Sequence, residues 1–101
     1  MGLVSAKEVC LVIGAGEGAG AGIARAFAAE GMAVCMTRRA RSLDQLEALA
    51  KAIRSTGGEA HAFGVDARSE EETIELFATI ERDIGPISVV VFNIGANVQF
   101  G

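Results

Sequence analysis

Five glycines stand at every second position from Gly14 to Gly22, directly after the apolar run Val9–Ile13. Glycine lets a backbone turn tightly and approach a guest with no Cβ in the way. An apolar run stopped by such a loop, with an alanine-rich amphipathic stretch after it, reads as strand, loop and helix. A strand without polar residues suits a parallel sheet covered on both faces. The free N–H groups at the start of the following helix attract a phosphate, so a dinucleotide is the natural guest. The same glycines would also serve a plain turn that packs helix against strand.

The alternation continues along the chain. A helix over residues 20–30 ends at Gly31, where a left-handed C-terminal cap is expected. A second strand covers residues 32–37. Ser42 and Gln45 have capping-box spacing, and Leu43, Leu46, Ala50 and Ile53 form one helical stripe before Gly57-Gly58. Residues 59–65 read as a third strand. Ser69 with Glu72 repeats the capping-box spacing, and Ile74, Phe77, Ile80 and Ile84 are expected to face the core. Gly85-Pro86 stops that helix, and Ile87–Phe92 is a fourth strand of buried type. The pattern is β-α-β-α-β-α-β, an α/β fold. Right-handed crossovers and short loops favour a Rossmann-like, doubly wound parallel sheet of order 3-2-1-4 over residues 1–101. Its switch-point crevice lies between the carboxyl ends of strands 1 and 4.

Composition narrows the function. With 50% hydrophobic and 22% charged residues the chain has the apolar surface to fold, and disorder is excluded. A net charge of −4 with scattered Lys and Arg disfavours nucleic acid. Val9–Ile13 is far too short for a signal peptide or a membrane span, and Ala6 stands where N-myristoylation requires Ser or Thr. A cytoplasmic protein without a membrane partner is expected. Cys10 and Cys35 lie singly in apolar segments and read as reduced packing residues. One histidine, His61, and no Cys-x-x-Cys give no metal ligand set, and His61 reads as a partly exposed strand residue. With no Tyr or Trp, no mechanism resting on a phenol or an indole is complete within these residues.

The glycines alone leave several guests open. Gly14-x-Gly16-x-x-Ala19 fits a general dinucleotide loop, Gly14-x-x-x-Gly18-x-Gly20 is a second spacing, and Gly14-x-Gly16-x-Gly18 suits a methyl donor. The end of strand 2 discriminates among them. An acidic residue there grips ribose hydroxyls in NAD or S-adenosylmethionine, but this chain carries Thr37-Arg38-Arg39. Two guanidiniums favour a 2′-phosphate through charge-assisted hydrogen bonds of about 1.5–3 kcal/mol each, and hence NADP over NAD. Glu17 opposes this by about 1 kcal/mol at a wet surface, less than the arginines supply. Without Gly-Lys-Ser/Thr after the glycines, a mononucleotide P-loop fails.

The segment Val12-Ile13-Gly14 through Gly20, followed by Ile23-Ala24, resembles the short-chain dehydrogenase/reductase pattern Thr-Gly-x-x-x-Gly-x-Gly, with Ile13 in place of Thr. Asp66-Ala67 resembles the Asp-Val pair that holds the adenine ring in that family. Asn93-Ile94-Gly95 resembles its Asn-Asn-Ala-Gly motif, with Phe92 and Ile94 replacing the first Asn and the Ala. The resemblance covers nearly the whole chain. It implies cofactor contacts by Gly14, Gly18, Ala19, Gly20, Asp66, Ala67, Asn93 and Gly95, joined by Arg38 and Arg39. Asp66 would also serve as a plain turn residue, and Asn93 as a tie between strands.

The family's Ser and Tyr-x-x-x-Lys lie downstream of these motifs, so no catalytic residue is assigned here. The resemblance thus implies the cofactor half of an oxidoreductase that moves hydride between NADPH and a carbonyl or alcohol. A non-catalytic nucleotide- or partner-binding module is the alternative. The run Ser88–Phe92 has neither charge nor Pro, so it is also expected to pair with another copy of the chain.

Overall fold

A computed structural model describes residues 7–14, 19–66 and 68–92. Along the chain come β1 (Val9–Ile13), α1 (Ala19–Ala29), β2 (Ala33–Arg38) and a short 3-10 turn (Ala40–Ser42). Then follow α2 (Leu43–Ser55), β3 (Glu59–Gly64), α3 (Glu70–Asp83) and β4 (Ile87–Phe92). The sheet is parallel, in the order β3-β2-β1-β4. Ile13 aligns with Thr37 and Phe92, and Thr37 with Phe63, which brings the carboxyl ends of all four strands level.

Strand alternation splits the core into two layers. Cys10, Val12, Val34, Met36 and Ala60 pack under α1 and α2 with Ala24, Ala28, Leu46, Ala50 and Ile53. Val9, Leu11, Ile13, Ala33 and Cys35 pack with Leu76 and Ile80 of α3 on the opposite face. Cys10 and Cys35 therefore point to opposite sides of the sheet; both are free and buried. Burial pushes the Cys35 thiol up to about 12, with the Glu59 charge adding to the shift. Such a thiol is inert at neutral pH.

The helix ends follow glycine chemistry. Gly31 (φ 95°) and Gly57 (φ 94°) take the left-handed conformation. The N–H groups of Gly31 and Met32 close back on Ala28 and Phe27, and those of Gly57 and Gly58 on Arg54 and Ile53, giving two Schellman caps. Met32 is thereby claimed by the cap, which is why β2 begins at Ala33 and not at residue 32.

Two expectations are corrected. Ile74 is 62% exposed, while Leu76 is buried instead. At about 100° per residue the two side chains point about 200° apart, so they cannot share a face. The capping box at Ser42 does not form: Ser42 makes no side-chain cap bond. Ser42 also ends the 3-10 turn, where its N–H already donates to the Arg39 carbonyl at 2.8 Å and needs no partner from Gln45. At α3 half of the box forms, with the Ser69 hydroxyl accepting from the Glu72 N–H at 3.2 Å.

Candidate cofactor site

At the carboxyl end of β1, Gly14 turns the chain with φ 88°, a conformation that strains any residue bearing a Cβ. Its N–H is shared between the Thr37 carbonyl at 3.0 Å and the Thr37 hydroxyl at 3.3 Å. Thr37 is only 1% exposed, so this buried hydroxyl clamps the start of the glycine loop to β2. Local spacing does not mark this role, because the partner lies 23 residues away; the one signal is a lone polar residue in the run Ala-Val-Cys-Met-Thr. Ala19 and Gly20 open α1, with Gly20 buried. Gly18, Ala67, Asn93 and Gly95 lie outside the described residues.

The arginines diverge, as neighbours on an extended chain must. Arg38 falls on the α2 face, where its Nη1 donates to the Gln45 Oε1 at 3.0 Å. Arg39 is exposed, and its charge reaches Asp66. Arg41, on the 3-10 turn, adds a third guanidinium, and residues 38–43 contain no carboxylate. The turn sits close over the end of β3 because Gly64 has no side chain: a Cβ there would lie 3.1 Å from Ala40 Cα.

Asp66 lies two residues past the end of β3, tied in by the Val65 N–H, which donates to the Arg38 carbonyl at 2.8 Å. Its Oδ1 accepts from the Arg68 backbone N–H at 2.9 Å and Nε at 3.2 Å, and its Oδ2 from Nη2 at 3.2 Å. These bonds, with the charges of Arg68 and then Arg39, hold the Asp66 carboxyl below the usual carboxylate range. The Asp66 N–H donates to the Glu72 carboxylate at 3.0 Å, which fixes the loop onto α3. Gly14, Arg38, Arg39 and Asp66 are thus gathered along one rim, facing the N-terminal ends of the helices. A positive β2 loop beside a positive-φ glycine and a helix start is a donor set that fits a phosphorylated dinucleotide.

The sequence model of the short chain dehydrogenase family matches residues 8–100. The chain belongs to the short-chain dehydrogenase/reductase family. The short-chain reductase protein NovJ of Streptomyces niveus is 38% identical over 94 residues, which are 93% of this chain and 35% of NovJ. A short-chain dehydrogenase structure from Rhodopseudomonas palustris superposes with a TM-score of 0.81 at 40% identity, over 92% of this chain and 42% of that one. An actinorhodin polyketide ketoreductase variant solved with NADPH gives a TM-score of 0.78 at 37% identity, over 86% of this chain and 33% of its own. The chain spans about a third of the length of the curated relatives it matches, 35% for NovJ.

His61 is half-buried on β3, with Nε2 2.8 Å from the Glu59 Oε2, while Lys7 Nζ lies 3.4 Å from the Glu59 Oε1. The cluster sits at the start of β3, away from the rim. A cleft of about 560 Å³ also opens at that far end, lined by Arg25, Ala28, Gly31, Ile53 and Gly58 among others. Among the described residues no helix is long and apolar enough to cross a membrane.

Proposed function

We propose that these residues form the NADP-binding portion of a short-chain dehydrogenase/reductase whose complete form moves hydride between NADPH and a carbonyl or alcohol. The single observation that carries the choice of NADP is the guanidinium pair at the carboxyl end of β2, where a ribose-binding carboxylate would favour NAD. The relative solved with NADPH supports the same cofactor. In this reading Arg38 and Arg39 hold the 2′-phosphate and Asp66 with Ala67 the adenine. Gly14, Gly18, Ala19 and Gly20 give the pyrophosphate a close backbone, and Asn93 with Gly95 borders the nicotinamide side. The nicotinamide ring supplies the hydride. These residues include no tyrosine, so a phenolic proton donor would have to come from outside them.

Calorimetric titration with NADP and with NAD tests the assignment. NADP is expected to bind at least about tenfold more tightly, with the preference reduced in Arg38→Ala and in Arg39→Ala. Equal affinities, or a preference that survives both substitutions, overturn it.

A second reading, self-association of the chain through an open strand edge, draws on β4. Val90 is 38% and Phe92 67% exposed, and among the described residues the outer edge of β4 has no neighbour. An uncharged edge of this kind pairs readily with a copy of itself. Sedimentation over a tenfold concentration range is expected to show self-association that Val90→Lys suppresses. A parent chain that stays monomeric throughout removes this reading.

A further inference from the structure

Gln45 is the residue that the expected capping box left without its partner. Its side chain instead accepts from Arg38 Nη1 at 3.0 Å, across the seven residues that separate the end of β2 from the first turn of α2. A guanidinium on a free arginine stem loses rotamer freedom when a ligand fixes it. A neutral acceptor that already holds the head group removes part of that loss and leaves most of the five guanidinium donors free. A carboxylate at the same place would hold the arginine equally well but would cancel its charge. Glutamine is the side chain that tethers without neutralising. The nearest acid on the α2 first turn is Asp44, one position earlier and therefore about 100° away around the helix.

We infer that Gln45 is a positioning residue for cofactor selectivity: it presents Arg38 to the 2′-phosphate. The inference rests on the NADP reading above. Arg39, exposed, supplies the second charge, with no such tether among the described residues.

The test uses two small probes that fit the adenine side alone, adenosine 2′,5′-bisphosphate and adenosine 5′-monophosphate, titrated calorimetrically into the 101-residue chain. The readout is the ratio of their affinities, which a merely structural role for Gln45 would leave alone. Gln45→Met keeps length and helix propensity but removes the acceptor, and is expected to lower the ratio about threefold. Gln45→Glu adds a unit charge beside Arg38 and is expected to lower it about fivefold. Binding of the monophosphate should hardly change with Gln45→Met. A parent that prefers the bisphosphate, with the ratio unmoved in both variants, overturns the role of Gln45 and leaves the NADP reading intact. A parent without preference for the bisphosphate overturns the NADP reading, and the role of Gln45 with it.

Discussion

The two ends of the sheet are built from the same strands and helices, yet they offer opposite electrostatics. At the carboxyl end the helices begin, so N–H groups and the positive ends of the dipoles face the loops, and Arg38, Arg39 and Arg41 add to them. At the amino end α1 and α2 finish in Schellman caps, and the negative ends of their dipoles face the cleft of about 560 Å³. Among the described residues, Arg25 is the one cation lining that cleft. This cleft therefore lies at the end less suited to a phosphate.

Stability at the amino end and binding at the carboxyl end should separate under mutation. The largest effect is expected for Ile53→Ala. Ile53, on the buried face of α2, also lines the amino-end cleft, so its loss should cost about 2–5 kcal/mol in urea denaturation. The fraction that stays folded should bind NADP as before. A loss of affinity in that fraction would couple the two ends and break the contrast.

Next come paired glycine substitutions. Gly14→Ala and Gly31→Ala both force a Cβ into positive φ, and at Gly31 nothing lies within 4 Å of the new atom. Each is expected to cost about 1–2 kcal/mol of stability. Only Gly14→Ala should also weaken NADP, because its N–H anchors the loop through Thr37. Equal effects on NADP from both variants would contradict the division.

The smallest effect concerns pH. The His61 hydrogen bond holds the Glu59 carboxyl below its usual range, helped by Lys7. A depressed carboxylate contributes stability that is present above the ordinary value of about 4.3 and is lost as pH falls through the lowered one. Solvent screening limits this half-exposed cluster to a few tenths of a kcal/mol. Melting curves between about pH 3 and 6 should show that loss in the parent and its absence in Glu59→Gln, with NADP affinity unchanged by the substitution.

Much of this architecture was legible in the residues. β1 and β4 were placed to the residue because Gly14 and Pro86 bound them, and the glycines at 31 and 57 announced two helix ends. Ile74 misled because any apolar residue on a helix joins some stripe, and only packing shows which stripe meets the sheet. The Ser42 box failed because a 3-10 turn upstream had already used the donor that Gln45 would have satisfied. Within the rim, the positions of Gly14, Arg38, Arg39 and Asp66 followed from the strand ends. Their partners did not: Thr37 on Gly14, Gln45 on Arg38 and Arg68 on Asp66 depend on side-chain geometry that spacing does not encode.

The most direct test of the account is an amide NMR titration of the 101-residue chain with NADP. The signals of Gly14, Arg38, Arg39 and Asp66, spread over three strand ends, should shift together and saturate at one concentration. Those of Gly31, Gly57 and Gly58 at the amino end should stay in place. Shifts centred on the amino-end glycines, or none at Arg39 and Asp66, would contradict the assignment of the carboxyl rim as the cofactor site.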